Sequence, residues 1–177
     1  MPKRALAVLT LSTFAILVAC GSDDTTTVPK STKVTFSVTL TPAGEPPGLQ
    51  GNPTGSGTFT ATLDTATNLF TFSGTFSGLT SNVNNGHIHG PFTPGGTATT
   101  AGVILNFNTL PGGTFVGFGA ATSGSVSGSV TLNATTQIST TVNGDSLRKL
   151  LLANLTYVNI HTTTNPGGEI RAQLVHQ

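Results

Sequence analysis

Strict alternation of apolar and small hydroxyl-bearing side chains is the feature that most limits what this chain can fold into. In the segment 33–40, apolar residues occupy every second position: Val34, Phe36, Val38 and Leu40. Successive side chains of a β-strand point to opposite faces, so this spacing predicts a strand with one buried face. Further strands are predicted at 58–63, 69–76, 85–90, 102–108, 114–120, 125–132, 137–142, 157–161 and 169–175. Short strands separated by Gly- and Pro-rich segments predict a sandwich or a barrel.

One stretch departs from this pattern and predicts a short helix. Near residues 146–153, Leu147, Leu150 and Leu151 fall at the i, i+3, i+4 spacing of one helix face. We therefore expect an all-β domain with one short helix, which crosses an end of the sandwich.

The low charge of the chain narrows the classes of function. Charged residues make up 7% of the sequence, against about 25% in an average protein, and the net charge is +1. No segment concentrates Lys and Arg, as a phosphate-binding surface requires, so nucleic acid is not expected as a partner. After residue 20 the chain also lacks the Leu-, Ala-, Glu- and Lys-rich mixture of long helices. This composition excludes a helical bundle and a coiled coil.

The first twenty residues have the pattern of an export signal with a lipid-attachment site. Lys3 and Arg4 precede an apolar run of about 15 residues, which is shorter than the roughly 20 that a membrane-spanning helix needs. The run ends in Leu17-Val18-Ala19-Cys20, which resembles the bacterial lipobox. That resemblance implies cleavage before Cys20 and a diacylglycerol group on its thiol. The alternatives are an ordinary export signal with a chance cysteine, or a cysteine buried in the core.

These features divide the chain into three expected segments. Residues 1–19 are a lipoprotein signal peptide, residues 20–32 a flexible tether with little to bury, and residues 33–177 one β domain. Gly21, rather than Asp, follows the cysteine, so the inner-membrane retention signal known from enterobacteria is not present. The sequence thus predicts an exported protein that is anchored to the membrane through Cys20, at the outer membrane or the cell surface.

Three of the four histidines fall on predicted strands. His87 and His89 are two residues apart, so they share one face of their strand, away from the apolar residue between them. His161 lies on a later strand, and a hairpin centred on Asn165 places Glu169 opposite His161. Strand parity puts all four of these side chains on outward faces. His176, next to the C-terminus, is expected to be solvated.

The motifs around these histidines resemble a known family. They are Gly86-His87-Ile88-His89-Gly90-Pro91, Tyr157-Val158-Asn159-Ile160-His161-Thr162 and Asn165-Pro166-Gly167-Gly168-Glu169-Ile170-Arg171-Ala172-Gln173. Together they resemble the CHRD domain, a module named from chordin and widespread in bacterial secreted proteins, over Lys33 to Val175. One departure is Ala172, where the family more often has Gly. The resemblance implies an immunoglobulin-like Greek-key sandwich or barrel, and it implies little about activity.

Three hypotheses account for the histidines. The first is a copper or zinc site formed by His87, His89 and His161, because imidazole is a common ligand of both metals. In that hypothesis Glu169 accepts a hydrogen bond from an imidazole and so fixes its tautomer. The second hypothesis is structural, with the imidazoles bonded to backbone or to Glu169. In the third, they contact a polar ligand such as a glycan or another protein.

Catalytic motifs are missing from the sequence. It contains no Gly-x-Ser-x-Gly, His-Glu-x-x-His or Walker sequence. We therefore expect a lipid-anchored binding or structural module rather than an enzyme. The alternative is a copper- or zinc-binding metalloprotein with an architecture similar to copper–zinc superoxide dismutase, also a Greek-key sandwich with a His-x-His strand. Only three non-terminal histidines are present and no Asp lies near them in sequence, which disfavours that enzyme's redox chemistry.

Overall fold

The computed structural model describes residues 31–95 and 99–177, and one compact unit begins at Ser31. The expected signal peptide, Cys20 and most of the expected tether lie outside the described residues. Within these two ranges, nine strands are formed: β1 (Lys33–Leu40), β2 (Ser56–Asp64), β3 (Leu69–Ser77), β4 (Val83–His89), β5 (Val103–Asn106), β6 (Thr114–Val116), β7 (Gly124–Thr131), β8 (Thr156–Thr162) and β9 (Ile170–Leu174). The same residues also form one α-helix, α1 (Gly144–Leu152), and a 3-10 turn at Pro42–Gly44.

The strands form two antiparallel sheets that pack as a sandwich. The first sheet has the order β1-β2-β3-β7-β6, and the second has the order β5-β4-β8-β9. After β3 the chain crosses to the second sheet, returns so that β7 pairs with β3, and crosses again so that β8 pairs with β4. These return connections are of the Greek-key kind. The predicted all-β sandwich with one short helix is confirmed.

The alternating residues supply the core between the sheets. Phe59 stacks on Phe72 at 5.6 Å between ring centroids, and Phe107, which directly follows β5 of the other sheet, approaches Phe72 at 5.1 Å. Ile88, Ile160 and Ile170 from the second sheet are at most 2% exposed and join the same cluster. Full burial of an apolar side chain of this size contributes roughly 1.5–3 kcal/mol. The core therefore fixes which face of β4, β8 and β9 points away from it.

Three predicted strands are shortened or replaced by turns, and the one predicted at 102–108 is confined to β5, which ends at Asn106. Residues 137–142 form no strand, only an isolated bridge between Gln137 and Asn143. Ser139 Oγ accepts the Val142 N–H at 3.2 Å, and such local side-chain bonds compete with strand pairing. The strand predicted at 114–120 ends at Val116, where the turn residue Gly117 adopts a positive φ of 88°.

The predicted helix forms and is shifted by one to two residues toward the N-terminus. Asn143 Oδ1 caps it by accepting the Ser146 N–H at 3.0 Å. Leu147 and Leu151 are fully buried and anchor the helix against the core. Within the residues that the structure describes, no helix is long and apolar enough to cross a membrane.

The β8–β9 hairpin has the predicted register. Ile160 pairs with Ile170 and Asn159 with Arg171, which centres the hairpin on Asn165. Gly168 closes the turn with a positive φ of 124°, and its N–H donates to the Asn165 carbonyl at 3.0 Å. A Cβ at Gly168 would collide with the Glu45 carboxylate, so this position requires glycine for space as well as for conformation.

Candidate metal centre

Strand parity and register bring three imidazoles together on the face of the second sheet that points away from the core. Within the β4–β8 pair, Asn85 is opposite His161, and His87 is opposite Asn159. His87 and His161 are therefore diagonal neighbours, and His89 follows on the same face of β4. The predicted convergence of these three residues is observed in the structure.

The three rings are close enough to share one ion. His87 Nδ1 and His161 Nε2 are 2.9 Å apart. One ligand nitrogen from each of His87, His89 and His161 lies within 4.8 Å of the others. Nitrogens bound to a common metal at 2.0–2.1 Å must lie roughly 3–4 Å apart, so the observed spacing of the three rings is close to that of a shared ion. Metal binding itself stays a prediction.

Two of the imidazoles have their tautomer fixed by backbone. His89 Nδ1 lies 2.9 Å from the Ala101 carbonyl, and His161 Nδ1 lies 2.9 Å from the Pro166 carbonyl. A carbonyl can only accept, so each ring carries its proton on Nδ1 and its lone pair on Nε2. Metal-binding histidines usually have the second nitrogen held in this way.

The ring nitrogens that do not face a backbone carbonyl show how the three histidines are hydrogen-bonded when no metal is bound. Because His161 Nε2 carries a lone pair, His87 Nδ1 must donate the hydrogen bond between these two rings. His89 Nε2 and the neighbouring Asn159 Oδ1 are both buried, and neither has a hydrogen-bond partner among the described residues. Native proteins rarely leave such atoms unpaired, and a bound ion or an ordered water is the usual explanation. This lone pair is buried and unpaired on a ring whose centroid lies 5.2 Å from that of His87 and 6.0 Å from that of His161, a position suited to a metal ligand.

The match to a protein family covers this whole site. A family model for the CHRD domain matches residues 36–174, which is more than half of the 177-residue chain. The chain belongs to the CHRD domain family. All three histidines and their backbone partners lie within the matched residues. A search of curated proteins and a search of solved structures each returned no match.

The imidazoles of this CHRD domain are buried, which corrects the expected surface cluster. His87, His89 and His161 are 6%, 7% and 6% exposed. Their face of the sheet points away from the core as predicted, but Ala101 and Pro166 approach it from the loops that follow β4 and β8. Sequence parity identifies the face of a strand and contains no information about loops that fold over it.

Aromatic and cationic groups extend the same layer. Tyr157 stacks on His89 at 4.8 Å with the rings 7° from parallel, and its hydroxyl accepts the Ala101 N–H at 3.1 Å. The guanidinium carbon of Arg171 lies 4.1 Å from the Tyr157 ring centroid and 4.7 Å from that of Phe92. These cation–π contacts hold Arg171 one ring away from the imidazoles.

Glu45, which the sequence did not single out, is the charged partner of Arg171. Its carboxylate lies 3.9 Å from Arg171 Nη1 and accepts the Asn159 Nδ2–H at 3.4 Å. Burial raises the pKa of Glu45 to about 7, although Arg171 and Asn159 act in the opposite direction. Glu45 lies in a Pro- and Gly-rich loop without strand periodicity, so no local signal marked it.

Glu169 serves a different purpose from the predicted one. The expected hydrogen bond to an imidazole is absent from the described contacts, because the carboxylate is fully buried among other donors. It accepts the Thr80 N–H at 2.7 Å, the Thr162 hydroxyl at 2.7 Å and the Asn165 amide at 3.1 Å. Burial raises the pKa of Glu169, yet these hydrogen bonds together hold it below its usual value. The tautomer of His161 is fixed by Pro166, in the turn that this carboxylate secures.

The imidazoles are neutral at physiological pH, which is the form that binds metals. Burial, with smaller contributions from His161 and His89, lowers the pKa of His87 to about 3. Burial also lowers the pKa of His161 to about 4, against the opposing effect of the Pro166 carbonyl. The pKa of His89 is lowered as well, chiefly by burial and in smaller part by the charge of Arg171.

These lowered values predict that the metal-free protein loses stability as the pH falls from about 6.5 to 4. Histidines with an ordinary pKa of 6.5 take up protons in the unfolded chain, whereas His87 and His161 do not while folded. The unfolded state then binds more protons, so the free energy of unfolding falls with the pH. Each such histidine lowers the free energy of unfolding by at most about 1.4 kcal/mol for each pH unit, and screening by solvent reduces this effect. Glu45 opposes this trend, because its raised pKa lets the folded state take up one proton before the unfolded state does.

Urea unfolding in the presence of a chelator at several pH values measures this dependence. His87→Gln removes one of the histidines that the fold holds neutral and should flatten this dependence. A free energy of unfolding that is constant between pH 6.5 and 4 would show that the three imidazoles are not held in neutral form by the fold.

Proposed function

We propose that this CHRD domain is a lipid-anchored module of the cell envelope that binds one copper or zinc ion through His87, His89 and His161. The observation that carries the proposal is the convergence of His87, His89 and His161 within 4.8 Å, with backbone carbonyls holding the Nδ1 atoms of His89 and His161 so that each Nε2 keeps its lone pair. Imidazole suits both metals, and three histidines are a common ligand set. The domain would hold the ion in place, with Cys20 keeping it at the membrane.

A purely structural role for the histidines is the competing hypothesis. The bond between His87 and His161 at 2.9 Å supports it, since a neutral imidazole pair can stabilise two strands without a metal. It leaves His89 Nε2 without a hydrogen bond of good geometry among the described residues, although the Asn159 side chain lies beside this ring. Contact with a protein or a glycan is the third hypothesis. The burial of the three rings disfavours it, because little of their surface is left to touch such a ligand.

The experiment is to measure the metal content and metal uptake of protein purified without an affinity His tag, before and after chelation. We expect one equivalent of copper or zinc to bind at micromolar concentration. The chain contains one Tyr and no Trp, and that Tyr157 stacks on His89. Its emission therefore reports on the site, and Cu(II), which quenches nearby fluorophores, should reduce it in proportion to occupancy. Protein that takes up neither metal in stoichiometric amount would contradict the proposal.

The lipid anchor predicts a change of location for Cys20→Ser. Without the thiol, no diacylglycerol can be attached and the protein should appear in the soluble exported fraction or stay uncleaved. Cell fractionation and the mass of the N-terminal peptide measure both outcomes. Ser22→Ala, two residues away, is the matched control and should partition like the parent. A Cys20→Ser protein that is still processed and still partitions with lipid would show that Cys20 is not the attachment site.

A further inference from the structure

The charges around the three imidazoles distinguish between the metals that the site could take. We infer that the site, on the proposed metal-binding function, prefers Cu(I) to Cu(II) and Zn(II). Imidazole binds both copper and zinc, so the type of ligand atom does not select between them. The charge of the ion does select between them, because the surroundings of the site must neutralise it.

The ligand set carries no negative charge. Among the described residues, the converging Cys, His, Asp or Glu ligands are the three histidines alone. All three are neutral and at most 7% exposed. The cost of removing an ion from water grows with the square of its charge, so a dication bound by neutral ligands in a buried site is penalised far more than a monocation.

The two buried carboxylates nearby are committed to other partners. Glu169 receives its hydrogen bonds from Thr80, Thr162 and Asn165. Glu45 faces Arg171 at 3.9 Å and accepts a hydrogen bond from Asn159, and because burial raises its pKa to about 7 it compensates the charge of Arg171 only in part. Neither carboxylate is left to neutralise the second charge of Cu(II) or Zn(II).

A fixed cation adds to this effect. The Arg171 guanidinium lies against one side of the layer formed with Tyr157, and Tyr157 in turn stacks on His89. Its position is held by a bond from Nη1 to the Thr99 carbonyl at 2.9 Å. A positive charge this close repels a dication about twice as strongly as a monocation, because the Coulomb energy is proportional to the charge of the ion.

The number of ligands also favours Cu(I) over Zn(II). Zinc sites in proteins are almost always four-coordinate, with a water or a further residue completing a three-histidine set. Cu(I) is a closed-shell ion that is stable with two or three nitrogen ligands. A cluster of three buried imidazoles meets that requirement without recruiting a fourth group.

Competition with chelators of known affinity tests the inference on the full untagged protein, anaerobically with ascorbate for Cu(I) and in separate titrations for Cu(II) and Zn(II). We expect Cu(I) to bind at least about 100-fold more tightly than Zn(II). The reduction potential of the copper-loaded protein should lie above that of aqueous copper, by about 59 mV for each tenfold preference for Cu(I) over Cu(II).

Charge variants supply the control. Arg171→Gln removes the cation and should narrow the gap between Cu(I) and Zn(II) about tenfold, whereas Glu45→Gln leaves that cation uncompensated and should widen it. Arg148→Gln, on α1 beside Asp145, should change neither affinity. If Zn(II) or Cu(II) binds more tightly than Cu(I), the inference is wrong and the proposed function stands. If none of the three ions binds, both are wrong.

Discussion

Replacing His161 by Gln is expected to lower the affinity for copper or zinc by more than about 100-fold. Loss of a group that merely orients a ligand costs roughly 10- to 100-fold in metal affinity, so loss of the ligand itself must cost more. His161 is the residue that connects β8 to the His87–His89 pair on β4, through a contact of 2.9 Å. Without it, only two imidazoles on a single strand remain.

Metal titration followed by Tyr157 emission measures this effect, and His176→Gln provides the matched control because that histidine is exposed and lies outside the cluster. Circular dichroism and thermal unfolding separate loss of binding from loss of fold. His89→Gln is a second variant that removes the unpaired Nε2 and should have an effect of similar size. If both variants bind metal as tightly as the parent, the cluster is not the site.

Glu169→Gln is expected to reduce the free energy of unfolding by about 2–4 kcal/mol. The carboxylate is fully buried, and one of its oxygens accepts the Thr80 N–H at 2.7 Å while the other accepts the Asn165 amide at 3.1 Å. A carboxamide has one accepting oxygen, so its NH₂ group must face at least one of these donors. A buried donor left unsatisfied costs about 1–3 kcal/mol, and the loss of charge-assisted bonds adds to that.

The same variant should also weaken metal binding, by about tenfold, since Glu169 secures the turn whose Pro166 carbonyl orients His161. Urea unfolding and metal titration measure the two effects separately. Val126→Ala, in the core of the first sheet, is a control that lowers stability without touching this turn. Equal metal affinity in Glu169→Gln and the parent would show that the carboxylate supports the fold but not the site.

Features that depend on the local period of the chain could be predicted from the sequence. The direction of a side chain on a strand depends only on parity, so the sequence predicts that His87 and His89 share one face and that Ile88 points into the core. The position of Asn165 in a short turn fixed the register of the last hairpin, which the structure shows in the pairing of Ile160 with Ile170. Each of these inferences needed only a few consecutive residues.

Features that depend on contacts between distant segments could not be predicted. Glu169 accepts a hydrogen bond from Thr80, 89 residues earlier in the chain, and not from the imidazole for which the sequence predicted one. The carbonyl of Ala101, which orients His89, comes from a Gly- and Pro-rich loop that has no periodicity. The burial of the three histidines and the pairing of Glu45 with Arg171 could not be predicted for the same reason. Both depend on loops, and no pattern in the sequence shows where those loops pack.

Anomalous X-ray diffraction from crystals of the copper-loaded, untagged protein tests the central claim most directly. The account predicts a single anomalous peak at the copper edge, about 2.0–2.1 Å from one nitrogen of each of His87, His89 and His161. It also predicts that the bonds from His89 to Ala101 and from His161 to Pro166 are retained. Copper bound elsewhere, for example at His176, with the bond between His87 and His161 still intact, would contradict it.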